Sequence, residues 1–135
     1  MRIEILNPQE KKPSLPFYRD AAAEYCKRLK RYAKVRCFSG PESLERMSSA
    51  DKQTLTVRIC KTGNSLSSIQ LASILESSPV SGKSRILFLI SEQAFAADQT
   101  LSLSRLQISP SLQTVLTLEQ IYRGFRIINN QPYHK

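Results

Sequence analysis

Apolar residues recur along this chain in two rhythms that take turns. Arg2–Leu6 alternates polar and apolar positions, which is the signature of a first strand. Asn7–Pro16 holds three prolines and several charges and reads as a loop, with Pro16 well placed for a first helical turn, where its missing N–H costs nothing. Phe17, Ala21, Tyr25, Leu29 and Tyr32 follow at spacings of four and three, so the pattern predicts a helix with one apolar stripe. Val35–Phe38 returns to a short strand, Pro41–Ser49 to a short helix or turn, and Thr54–Cys60 to a strand with Leu55, Val57 and Ile59 on one side.

The second half continues the exchange. The glycine-bearing stretch from Lys61 to Leu66 reads as a loop. Ser67 or Ser68 then caps a helix whose Ile69, Ala72 and Leu75 face inward. Ile86–Ile90 is apolar at every position, as expected of a strand covered on both faces at the centre of a parallel sheet. Leu103–Ile108 predicts a weaker strand. Ser109 and Pro110 supply an N-cap and an N1 proline for the helix carrying Leu112, Val115, Leu116, Tyr122 and Phe125. Strands that alternate with helices imply an α/β layered fold, and the absence of repeats or linkers predicts a single domain over residues 1–135.

Composition narrows the classes of function. No apolar run reaches the roughly eighteen residues that a membrane-spanning helix needs, and no basic-then-apolar leader opens the chain, so the expectation is a cytoplasmic protein with no membrane partner. Cys26, Cys37 and Cys60 are odd in number and lack metal or redox spacing, which reads as reduced, buried or half-buried thiols. With a single histidine, no metal site is expected.

Net charge is +9, and thirteen of the twenty Lys and Arg residues precede position 59. Lys27, Lys30, Arg31 and Lys34 are expected on the outer side of the first helix, with no acid to relieve their repulsion. That face is either simply solvated or tracks a phosphate backbone. No Walker loop, dinucleotide fingerprint, nucleophile elbow or paired carboxylates are present. What remains is a cofactor site built from backbone loops, or no active site.

The last stretch, from Leu116 to His134, is an amphipathic helix running into a polar, aromatic tail that carries the only histidine. Glu119-Gln-Ile-Tyr-Arg and Asn129-Asn-Gln-Pro-Tyr-His-Lys135 closely resemble the carboxyl end of the H-type 23S rRNA pseudouridine N3-methyltransferases, members of the SPOUT superfamily. Asp20–Val35 is similar to that family's first helix, and Ile59–Ala72 matches its glycine and paired-serine segment at Gly63, Ser67 and Ser68.

The resemblance implies a SPOUT-type layered α/β domain with a parallel-rich sheet and a carboxyl-terminal trefoil knot. It implies a homodimer, S-adenosylmethionine as cofactor, and a pseudouridine of 23S rRNA within the ribosome as substrate. On this chain the cofactor loops would lie at Ile59, at Ser91 and Glu92, and along Leu103, Ser104, Arg105, Leu106, Gln107 and Ile108. His134, beside Tyr133, would act as base or orient the nucleotide, and Arg123 and Arg126 would hold RNA phosphates. Tyr122 and Phe125 are assigned to packing. Where the family has Ile-Gly-Gly-Pro-Glu-Gly, this chain has Ile90-Ser-Glu-Gln-Ala-Phe95. Side chains therefore enter a space that glycines leave to backbone. Three readings stay open: an active methyltransferase, a knotted binding protein that has lost transfer, or a generic basic RNA-binding domain, which fits the charge but leaves the tail unexplained.

Overall fold

The computed structural model describes residues 1–11, 15–94 and 96–132. Five strands form one sheet: β1 (Arg2–Asn7), β2 (Lys34–Ser39), β3 (Thr54–Ser65), β4 (Arg85–Ile90) and β5 (Gln99–Ser102). Their order is β2-β1-β4-β3-β5, with every pairing parallel. Four helices connect them: α1 (Pro16–Leu29), α2 (Pro41–Met47), α3 (Ser68–Val80) and α4 (Pro110–Ile128). β4 lies at the centre, and Ile86–Ile90 are all buried, as their unbroken apolar run predicts; Arg85 is buried with them.

Alternation along the strands sorts the core into two layers. Ile3, Ile5, Ile86, Phe88, Val57 and Ile59 face one side and pack with Leu29, Leu71, Leu75, Leu118, Ile121 and Phe125 of the helices. Leu6, Leu87, Leu89 and Phe38 face the other, against Met47 of α2. On that second face Glu4 is buried between two arginines. Arg85 donates to its carboxylate at 2.6 Å and Arg46 from α2 also pairs with it. Burial works to raise the Glu4 pKa, but the hydrogen bonds and charges of Arg46 and Arg85 overcome it and hold the group below its ordinary value.

Several expectations need correction. α1 ends at Leu29, not at Tyr32, because Ala33 enters the core and the Lys34 amide donates to the Met1 carbonyl, opening the β2–β1 ladder. Sheet pairing takes the residues that helical periodicity claimed. Lys27 is thus the only one of the four basic residues on the helix; Lys30 and Arg31 form its exit turn and Lys34 begins β2. One turn before them, Glu24 accepts from Arg28 at 2.9 Å.

β3 continues through the segment expected as a loop, to Ser65. Leu101 is opposite both Ile59 and Asn64, so residues 60–63 form a bulge in β3. The last strand is Gln99–Ser102, and Leu103–Ile108 is a loop. Asp98 fixes this register by accepting from the Thr56 amide at 2.8 Å, and its own amide donates to the Thr56 carbonyl. Finally, Ile69 is exposed, and the inward face of α3 is Leu71, Ala72, Leu75 and Ser78.

α4 runs antiparallel to the strands. Its start is tied to the carboxyl end of β1, where Asn7 donates to the Pro110 carbonyl at 2.8 Å and to the Thr114 hydroxyl at 2.9 Å. Its finish lies near the amino end of β2, where the Phe125 ring stacks on Tyr32 at 5.2 Å. Asn130 ends it in the left-handed region (φ 53°), and the Gln131 amide donates to the Arg126 carbonyl at 2.8 Å. This is a Schellman closure with asparagine in the position glycine usually takes.

Candidate functional site

Three segments predicted to form a cofactor site converge at the carboxyl ends of β3, β4 and β5. The β3 bulge is their floor. A Cβ on Gly63 would stand 2.5 Å from the Leu101 carbonyl carbon, so only glycine lets β3 approach β5 this closely. The Ser91 amide donates to the Ile59 carbonyl at 3.1 Å, which joins the first segment to the second. Arg58 then clamps the second, donating to the carbonyls of Ser91 at 3.1 Å and Glu92 at 2.7 Å. The Glu92 carboxylate turns back and accepts from the Lys61 amide at 3.1 Å.

The third segment closes over the first. Ile59, Cys60 and Lys61 face Leu103, Ser104, Leu106 and Ile108, with Gln113 of α4 behind them, around a cavity of about 10 Å³. Ser102 pins the segment by donating to the Lys61 carbonyl at 3.3 Å, and the Leu106 amide donates to the Ser104 hydroxyl at 3.0 Å. Leu106 itself is 74% exposed, and Arg105 and Gln107 point to solvent. Of the predicted cofactor residues, Ile59, Leu103, Ser104, Leu106 and Ile108 share the crevice wall, while Ser91 and Glu92 sit at its rim. The largest groove described, about 860 Å³ between α3 and the end of α4, holds none of them.

The paired serines have structural tasks. Ser67 caps α3 in a reciprocal box with Gln70, and Ser68 donates to Gln120 of α4 at 3.3 Å. Arg58, the Lys61 amide and Gln113 were not singled out by sequence reasoning. Alternation places Arg58 on the polar side of β3, but nothing in its neighbours announces two carbonyls from residues 91 and 92.

The predicted RNA-binding residues lie at the other end of the sheet. Lys30, Arg31 and Lys34 line an open depression of about 440 Å³ with Met1, Arg2 and Ser84, at the amino ends of β1, β2 and β4. Lys27 is exposed one turn earlier on α1. Arg126 is turned toward the tail, donating to the Pro132 carbonyl at 3.0 Å and lying over the Tyr122 ring. Arg123 pairs with Glu119 at 2.9 Å. These two arginines hold α4 and the tail in shape. Tyr122 and Phe125 pack as expected, with Tyr122 beside Tyr25 and Tyr32. Tyr133 and His134 lie outside the described residues.

The family described as predicted SPOUT methyltransferases matches residues 1–134. The chain belongs to that family. It is 35% identical over 121 residues to the ribosomal RNA large subunit methyltransferase H 1 of Thermoanaerobacter sp. (strain X514), covering 88% of this chain and 90% of the relative. The ribosomal RNA large subunit methyltransferase H of Acetivibrio thermocellus is 33% identical over 161 aligned positions that span both proteins completely (100% of each). That of Alkaliphilus oremlandii is 36% identical over 138 positions, 83% of this chain and 87% of the relative. The SPOUT resemblance read from the tail is therefore borne out along the chain, as is the parallel α/β sheet.

Proposed function

We propose that this protein transfers a methyl group from S-adenosylmethionine to N3 of a pseudouridine in large-subunit rRNA, acting as a homodimer in the cytoplasm on ribosomal particles. The observation that carries the proposal is the convergence of Ile59, Ser91-Glu92 and Leu103–Ile108 at one end of the sheet. Ile59, Leu103, Leu106 and Ile108 offer apolar walls to a purine face, and main-chain amides and carbonyls beside them suit its polar edge. The donor set fits the cofactor. The volume does not yet, since about 10 Å³ admits little more than one water. Binding requires the Leu103–Ile108 segment to move outward around Leu106. When bound, the cofactor supplies an electrophilic methyl on a sulfonium. The trefoil threading of the family belongs to the same proposal.

Reach supports the dimer. α4 is 19 residues long, roughly 28 Å, and carries the tail from the crevice end of the sheet to the opposite end. His134 is two residues beyond Pro132, a span of roughly 7 Å. From a departure point beside Tyr32 that span falls short of the crevice of the same chain, so the proposal places the base in the crevice of a second copy. There His134 takes the N3 proton or orients the nucleotide, with Tyr133 beside it. Lys27, Lys30, Arg31 and Lys34 lie at the end where the tail departs, so in this arrangement they supply phosphate contacts near the partner's crevice.

A second reading, a knotted RNA- or ribosome-binding protein without transfer activity, draws on the near-closed crevice and the Glu92 carboxylate on the Lys61 amide. Calorimetric titration with S-adenosylmethionine and its homocysteine product, paired with nucleoside mass spectrometry of treated ribosomes, separates the two. Heat on titration and a new methylated pseudouridine support transfer. Ribosome association with neither supports the second reading.

A further inference from the structure

We propose that Cys26 and Cys37 form a reversible disulfide, an oxidisable dithiol that joins α1 to the edge strand β2. Eleven positions separate the two cysteines in sequence, a spacing that matches no redox motif. The fold brings them together. Cys26 is on the sheet-facing side of α1, one turn before Leu29, and Cys37 shares the half-buried side of β2 with Val35 and Ser39. Both pack against the same core cluster, and the two thiols share a hydrogen bond.

The surroundings favour reaction over inert burial. Each thiol is half-buried, so a small oxidant has access to the pair. The Cys37 hydrogen bond, opposed by burial and aided by the Lys30 charge one turn on, lowers the Cys26 thiol to about 7, giving it substantial thiolate character at neutral pH. Among the described residues β2 pairs with β1 alone, so its outer edge is free to make the small adjustment that bringing two sulfurs to roughly 2 Å requires. Cys60 takes no part: it is buried where the β3 bulge begins, with Thr62 beside its sulfur.

With a hydroperoxide as oxidant the chemistry balances. The Cys26 sulfur attacks one peroxide oxygen and the O–O bond breaks. The alcohol (or water) leaves with the proton of the thiol, and Cys26 becomes a sulfenic acid. The Cys37 sulfur then attacks the Cys26 sulfur, the S–O bond breaks, and the departing hydroxide takes the Cys37 proton as water. Two thiols lose two electrons and two protons, and the peroxide is reduced by the same two electrons. A low-molecular-weight thiol reverses the bond by exchange. Closure fixes the end of α1, with Lys27 and Lys30, to the strand that begins at Lys34. None of this depends on methyl transfer.

The test uses the full-length protein, treated with hydrogen peroxide near stoichiometry, alkylated and analysed by intact mass and peptide mapping. The expected product has lost two hydrogens, keeps one alkylatable thiol, and yields a linked peptide pair containing Cys26 and Cys37. Dithiothreitol restores three alkylatable thiols. Cys60→Ser behaves as the wild type, whereas Cys37→Ser leaves Cys26 as an oxygen adduct. A disulfide that includes Cys60, a bond between two chains, or separate oxygen adducts on Cys26 and Cys37 of the wild type would overturn the proposal. The wild-type map decides the matter even if a serine variant fails to fold.

Discussion

Gly63→Ala tests how the candidate crevice is built. The new Cβ would lie 2.5, 2.6 and 2.9 Å from the carbonyl carbon, oxygen and Cα of Leu101, all backbone atoms that no rotamer change can move. Ordinary carbon contact begins near 3.5 Å, so β5 must retreat by roughly 1 Å. Overpacking of this kind costs about 1–3 kcal/mol. Loosening the pairing of Asn64 with Leu101 and Ser65 with Ser102 adds about 1 kcal/mol. The stiffer unfolded chain returns about 0.4–1 kcal/mol. The net expectation is a loss of roughly 2–3 kcal/mol, a fall in Tm of roughly 6–12 °C at this chain length. Gly124→Ala is the internal control. Its Cβ meets the Leu75 Cδ1 atom at 2.8 Å, a side-chain end that can turn away, and Ala72 at an ordinary 3.6 Å. The better helix propensity of alanine, up to about 1 kcal/mol, offsets that adjustment. Urea melts at fixed protein concentration, with slopes compared, measure both. If Gly63→Ala unfolds within 0.5 kcal/mol of the wild type, or Gly124→Ala is the weaker of the two, the close approach of β3 to β5 does not organise this end of the sheet.

Three further outcomes are expected. Glu4, held below its ordinary pKa of 4.5, stabilises the fold at neutral pH, and that contribution is lost as pH falls below 4.5 through the lowered value. Glu4→Gln, which strands Arg85, is therefore less stable than the wild type by roughly 3 kcal/mol at pH 7, and denaturant midpoints of the two converge in acid; a gap of constant size would remove Glu4 from the account. Changing Lys27, Lys30 and Lys34 together to Glu should flatten the salt dependence of ribosome association by about 0.7–0.9 log units per lost phosphate contact, and an unchanged slope in a filter-binding series would mark these lysines as merely solvated. His134→Ala should cut methyl transfer by about 10²-fold or more while calorimetric cofactor affinity holds, and transfer at the wild-type rate would deny the histidine a chemical role.

What the sequence revealed depended on whether one physical signal decided each element. β4 announced itself because five consecutive apolar residues have no polar face to show. α4 did so because Ser109 and Pro110 begin a helix for local reasons that the fold keeps. The end of α1 was illegible because Tyr32 keeps helical spacing while the Lys34 amide is claimed by a strand distant in sequence. β3 was cut short at the sequence level because glycine at position 63 reads as a breaker, when its purpose is contact with Leu101. β5 was displaced because Leu103–Ile108 is more apolar than Gln99–Ser102, and the Asp98–Thr56 lock that fixes the register is a contact between residues 42 apart. The crevice segments were named from family resemblance. The Arg58 clamp that holds one of them, and the meeting of Cys26 with Cys37, are products of the fold alone.

The replaced glycines after β4 raise a question of magnitude rather than kind. In this chain side chains hold the segment that glycines would leave to the backbone: Arg58 on two carbonyls, and the Glu92 carboxylate on the Lys61 amide. A ligand that needs the Lys61 amide must displace Glu92. Glu92 is exposed, so water replaces the lost partner and the exchange costs about 1 kcal/mol, the net worth of one hydrogen bond. Moving the Leu103–Ile108 segment outward costs little in burial, because its tip Leu106 is already 74% exposed. An opening penalty of about 1–2 kcal/mol lowers apparent affinity roughly five- to thirtyfold, since only the open fraction binds. Under the proposed function, cofactor binding is weakened and not abolished. The Arg58 clamp need not break at all, because it anchors the segment from the side away from the crevice. The departures at Ser91 and Glu92 are therefore compatible with methyl transfer at a higher cofactor concentration, and the volume of the closed crevice alone does not argue for a protein that only binds.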